Sequence, residues 1–97
     1  MYFHIFGFQW KPEATEAQKA QVVVDVKAFK GSIPGLEEVH VGHNQSPRGR
    51  GYEFAGVMRF TGKAAFEAYM THPQHQKLIK WLMPIIDPVE FDFLAMD

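Results

Sequence analysis

The sequence contains no cysteine, no run of like charge longer than Glu37-Glu38, and no apolar stretch that approaches the length of a membrane span. Without cysteine there is no disulfide framework, no thiolate nucleophile and no thiolate metal ligand. Ten Lys+Arg against eleven Asp+Glu leave a formal net charge of −1, so the broad field that draws a protein to nucleic acid or to an anionic membrane is missing. A bilayer span needs roughly 20 apolar residues, and every apolar stretch here is interrupted well before that, so no membrane partner is expected. Met1-Tyr2-Phe3-His4-Ile5-Phe6 has no basic region ahead of it, and Gln9, Lys11 and Pro12 arrive before a signal-peptide core is complete. No targeting segment is read, and a cytoplasmic location is expected.

The short motifs of nucleotide and serine chemistry are missing too. Gly42-His43-Asn44-Gln45-Ser46 holds a single glycine and is no phosphate cradle, and neither a dinucleotide fingerprint nor a serine nucleophile elbow occurs. These gaps speak against dehydrogenase and serine-hydrolase chemistry. Arg48-Gly49-Arg50-Gly51 is one short basic unit in a neutral chain, which reads as a solvated loop and not as a nucleic-acid-binding segment.

What the 97 residues hold in quantity is hydrophobic mass: 46% are hydrophobic and 14% aromatic, with nine Phe, three Tyr and two Trp. Such a composition belongs to one ordered domain, residues 1–97. A chain of this size buries about 65% of its open surface on folding. So much apolar side chain in so small an interior points to a partner surface.

Residues 2–10 alternate, Tyr2, His4, Phe6, Phe8 and Trp10 on one face and Phe3, Ile5, Gly7 and Gln9 on the other, which is the period of a strand. Thr15-Glu16-Ala17-Gln18 has the form of a capping box and starts a helix. Val22, Val23, Val26 and Phe29 give that helix an apolar stripe, and Gly31 is its stop. A second strand is expected over roughly 36–43, with Leu36, Glu38, His40 and Gly42 opposite Glu37, Val39 and Val41; a third follows over roughly 52–61. Phe66, Tyr69 and Met70 share one face of a short helix that Pro73 ends or restarts, a second helical piece runs through Leu82, and a last strand covers about 88–95. The order βαββαβ predicts an α+β, ferredoxin-like fold: a four-stranded antiparallel sheet with the helices on one face. Both faces of the inner strands are apolar while helices dry only one, so the other face is expected to meet the sheet of a second copy, giving a homodimer.

Tyr69-Met70-Thr71-His72-Pro73-Gln74-His75 carries three titratable rings at a helix break. Proline at the first helical position places His75 in the first turn, where unpaired amides disfavour the imidazolium. A neutral imidazole takes a proton near pH 7, and the Tyr69 phenol stabilises the oxyanion formed when a proton leaves the carbon next to a carbonyl. The same spacing also suits a bland arrangement in which His72 caps a helix and His75 is exposed. His4, in register with Phe6, Phe8 and Trp10, either bonds within the core or faces a ligand. His4, His72 and His75 are weighed as a zinc site and set aside, because the intervening proline constrains them and no carboxylate is close in sequence.

The opening strand with its histidine, Thr15–Gln18, Ile33-Pro34-Gly35-Leu36 leading to Val41–Ser46, Gly51–Ala55 and Tyr69–His75 together resemble the stress-responsive dimeric α/β-barrel (Dabb) family over nearly the whole chain. The resemblance implies a ferredoxin-like protomer that dimerises sheet to sheet into a barrel, with no cofactor and no metal. By resemblance to the family's plant polyketide cyclase chemistry, His75 is the base, Tyr69 the hydrogen-bond donor and His4 an orienting group. Phe6, Phe8, Val23, Val26, Leu78 and Trp81 would then line an apolar pocket. The function implied is binding of a small carbonyl-bearing or aromatic molecule with cofactor-free lyase, cyclase or isomerase chemistry. The alternatives are a non-catalytic stress-responsive or ligand-binding dimer, and a dimeric-barrel monooxygenase.

Overall fold

Alternation of side chains along Tyr2–Trp10 makes this segment a strand, β1, with one strongly apolar face, and the remaining sheet is built around it. The computed structural model describes all residues 1–97. β1 pairs antiparallel with β3 (Phe54–Phe60) on one side and β4 (Ile86–Leu94) on the other, and β2 (Leu36–His43) adds outside β3, giving the order β2-β3-β1-β4. Helices α1 (Glu16–Lys27), α2 (Lys63–Met70) and α3 (Pro73–Leu82) accompany the sheet. The fold is the ferredoxin-like α+β arrangement expected from the sequence, with the second helical segment split in two at Pro73. No helix is long and apolar enough to cross a membrane.

The capping box forms as read: Thr15 Oγ1 accepts from the Gln18 amide and the Gln18 side chain accepts from the Thr15 amide. Val22 and Val26 turn inward from α1, and Phe29 follows them into the core just beyond the helix. Gly31, at φ +90°, then reverses the chain.

Two details of the sheet depart from the sequence reading. A bulge between Leu36 and Glu38 inserts an extra residue into β2, so Leu36 shares its face with Val39 and Val41, not with Glu38, His40 and Gly42. Bulk decides this: Leu36 is buried, and the bulge delivers three apolar residues of β2 to the core side while Glu37 and Glu38 both reach Arg59. β4 begins at Ile86, two residues before the expected start, because Pro84 is absorbed in a 3₁₀ turn (Met83–Ile85) and Pro88 is tolerated on an edge strand whose far side needs no donor.

The core lies between the helices and one sheet face, with Met58, Phe60, Val22 and Phe29 fully buried. The opposite face is bare: Phe91 is 61% exposed, and Phe93, stacked on Phe3 at 5.5 Å, is also exposed.

Two glycines have left-handed backbones but different surroundings. A Cβ at Gly31 would meet nothing within 4 Å, whereas at Gly35 (φ +81°) it would lie 2.5 Å from Ala65 Cβ and 3.1 Å from Thr61 Oγ1. Gly31→Ala is therefore expected to lose about 1 kcal/mol from backbone strain, and Gly35→Ala clearly more. Urea unfolding of the two variants checks this, and equal losses would refute the packing argument.

Candidate active site

Three elements converge on one cavity of about 60 Å³ between sheet and helices. β1 contributes His4, Phe6 and Phe8 from its inner face, α2 contributes Tyr69 from its last turn, and α3 contributes His75 from its first. The remaining wall is mostly apolar, with Glu90 of β4 at its edge.

The helix break sets the chemistry of His75. His72 is the N-cap of α3, its Nδ1 accepting from the Gln74 amide at 3.1 Å, and Pro73 takes the first helical position. His75 Nδ1 then lies 3.1 Å from the carbonyl oxygen of Met70. A carbonyl only accepts, so Nδ1 carries the hydrogen, and in the neutral ring Nε2 holds the free lone pair. His75 is 7% exposed. Burial lowers its pKa, with the charges of His4 and His72 acting in the same direction and the Met70 carbonyl opposing them. The ring is thus kept neutral and basic at one defined nitrogen.

Tyr69 lies beside it, the two ring centroids 4.3 Å apart, wedged by Phe29 and Phe60. Burial, reinforced by the charge of Glu90, holds the phenol well above its ordinary pKa, so it remains a hydrogen-bond donor. His4 is 4% exposed and sits opposite Asp92 in the antiparallel register of β1 and β4. Its Nδ1 donates to Asp92 Oδ1 at 2.5 Å, and its Nε2 lies 3.9 Å from Glu90 Oε1. A base, a neutral donor and a carboxylate-oriented imidazole therefore share one partly enclosed space.

Phe6 forms part of the wall because its cross-strand partner is Gly56: a Cβ there would lie 2.3 Å from the Phe6 ring. The ring lies across the vacant position, the close approach that a glycine within a strand allows.

Of the residues expected from the sequence, His4, Tyr69, His75, Phe6, Phe8, Val26 and Leu78 all line the cavity. Val23 and Trp81 do not. The inner arc of α1 is centred on Val22 and Val26, which leaves Val23 half-buried at its side. On α3 the inward residues are His75, Leu78 and Leu82, so Trp81 falls on the rim, in a shallow surface groove with Ala17, Gln18 and Gln21. The wall it was expected to form is built instead by Ile79, Leu82 and Met83. Glu90 and Asp92 were not expected; their alternation along β4 is visible in the sequence, but their place beside His4 follows only from strand register. His72, weighed with His4 and His75 as a zinc ligand, is instead engaged as the cap of α3 and does not line the cavity.

Residues 3–97 match the family model of the stress responsive A/B barrel domain, Dabb. The chain belongs to that family. No curated protein matches the sequence significantly. Among solved structures, a dimeric ferredoxin-like protein of unknown function from Thermobifida fusca is 28% identical, with a TM-score of 0.83 over 97% of this chain and 90% of that one. A hydroxynitrile lyase from Passiflora edulis is 19% identical, with a TM-score of 0.81 over 99% of this chain and 95% of the lyase. An antibiotic biosynthesis monooxygenase is 16% identical, with a TM-score of 0.79 over the whole of both chains. These last two establish a shared fold within which this Dabb domain arranges its own residues.

The lowered pKa of His75 carries a stability consequence. The unfolded chain takes up this proton near the ordinary value of 6.5 while the folded chain resists it. The contribution is fully present above that pH and is lost as pH falls through the folded-state pKa. Melting temperature should drop on acidification below about pH 6.5, and His75→Phe should flatten that part of the profile; an unchanged slope in the variant would count against it.

Proposed function

We propose that this Dabb domain is a cofactor-free acid–base enzyme, a lyase or isomerase acting on a small carbonyl compound, with His75 as base, Tyr69 as hydrogen-bond donor and His4 as the orienting group. One observation carries the reading: the Met70 carbonyl fixes the His75 proton on Nδ1, leaving Nε2 as a base beside a phenol that burial keeps protonated. In the step envisaged, Nε2 takes a proton from an acidic C–H or O–H. The released electron pair either moves onto a carbonyl oxygen that Tyr69 hydrogen-bonds, or forms a new carbonyl as a neighbouring C–C bond breaks. The imidazolium then returns the proton to the product carbon or to the departing group, so no redox partner is needed.

Size narrows the substrate. At roughly 10–15 Å³ per water-sized group, about 60 Å³ admits on the order of five heavy atoms. That suits the reacting end of a small aldehyde, ketone or hydroxynitrile. A hydroxynitrile lyase is among the proteins that share the fold, which supports a reading of this class.

Turnover should be sought by deuterium exchange next to the carbonyl of small ketones and by cyanide release from a small aliphatic hydroxynitrile. His75→Ala is expected to lower kcat about 10²–10⁴-fold and Tyr69→Phe about 10²-fold. If the wild-type chain turns over none of these compounds, or if both variants match it, this reading is wrong.

The bare sheet face supports a homodimer as the working form. Phe3, Ile5, Val57, Phe91 and Phe93 make one side of the sheet apolar, and the Thermobifida fusca relative is described as dimeric. Sedimentation should give twice the chain mass, and Phe91→Glu should shift the protein towards monomer. A wild-type monomer at micromolar concentration would refute the dimer.

A further inference from the structure

At the β4 wall of the cavity His4 Nε2 and Glu90 Oε1 face one another without a hydrogen bond between them. Asp92 takes the Nδ1–H of His4, so in the neutral ring Nε2 presents a lone pair. Glu90 Oε1 stands 3.9 Å away, beyond hydrogen-bond length. No Lys or Arg lines the cavity, and Glu90 stands opposite Phe6, between Pro88 and Asp92 on this face of β4. Half of the Glu90 side chain is exposed, and it makes no side-chain hydrogen bond to the His4 ring it faces. A nitrogen or oxygen donor set about 2.8 Å from each acceptor closes such a gap, the three atoms forming a shallow triangle.

Building on the reading of the cavity as a substrate site, we infer that His4 Nε2 and Glu90 Oε1 form a subsite for a hydrogen-bond-donating group of the ligand, an amide, amine or hydroxyl, and that Glu90 turns away carboxylates. The polarity of the cavity is then ordered. Tyr69 offers a donor to the ligand's carbonyl or other acceptor end, while the β4 wall offers two acceptors to its donor end. The charge of Glu90 already extends across the space, since it contributes to holding Tyr69 in its phenol form. Asp92 acts through His4: by holding the proton on Nδ1 it leaves Nε2 as the acceptor of the neutral ring, and it is a positioning residue.

Isobutyramide, isobutyronitrile and isobutyrate share one carbon skeleton and differ in donor and charge, and each is small enough for the cavity. They should be titrated into the wild-type chain at neutral pH while the amide resonances of Tyr69 and His75 are followed by NMR. Isobutyramide is expected to bind about fivefold or more tighter than the nitrile, which lacks a donor, and isobutyrate about tenfold or more weaker than the amide. In Glu90→Gln the advantage of the amide over the nitrile should fall to about twofold or less and the penalty on the carboxylate should largely vanish, with the melting temperature close to wild type because Glu90 is half exposed. Equal binding of amide and carboxylate by the wild type, an unchanged ranking in Glu90→Gln, or no response of Tyr69 and His75 to any probe overturns the subsite. Turnover plays no part in this readout. A chain that ranks the probes as expected but transforms no substrate supports the subsite and refutes only the catalytic role of His75.

Discussion

The candidate site depends on one missing hydrogen. Pro73 has no amide proton, so the helix that runs to Met70 cannot continue, and the carbonyls of its last turn need other partners. Tyr69 O finds the amide of His72, and the Gln74 amide, which a continuous helix would give to Met70, goes to the His72 ring instead. The Met70 carbonyl is left to side chains. It accepts from His75 Nδ1 at 3.1 Å and from Gln76 Nε2 at 2.7 Å. The tautomer of His75, the direction of its free lone pair and its closeness to Tyr69 all follow from that break.

Local features were legible in the sequence because local interactions produce them. The reciprocal cap at Thr15 and Gln18, the aromatic alternation of β1 and the restart at Pro73 each depend on residues within a few positions of one another. Tyr69 and His75, six positions apart across the break, were readable for the same reason. What escaped was set by register between distant segments. Nothing near Glu37 announces a bulge; it follows from fitting Leu36, Val39 and Val41 into one core. Glu90 and Asp92 became neighbours of His4 only once β4 paired with β1. Val23 and Trp81 show the limit of helical periodicity, which identifies an apolar face but leaves its centre uncertain by one residue. That step separates a cavity wall from its rim.

The site also carries a stability penalty. Two imidazoles and a phenol occupy positions where hydrocarbon would pack without any need for partners. Asp92 and the Met70 carbonyl compensate one nitrogen of each histidine, and the other nitrogen of each is left for whatever enters. Gly56 adds to this, since glycine loses more backbone freedom on folding than any other residue, and its missing Cβ is what makes room for the Phe6 ring. Burial of Val22, Phe29, Met58 and Phe60 elsewhere in the core offsets these terms.

The bond between His4 and Asp92 joins residues 88 positions apart, almost the full length of the chain. So long a closure is held in place by the pairing of β4 along the whole of β1. His75 meets Tyr69 across a local helix break, whereas both carboxylates reach His4 only through the pairing of β4 with β1. Competence of the site and completion of the sheet are therefore one event, and a partly folded molecule lacks the wall that sorts ligands.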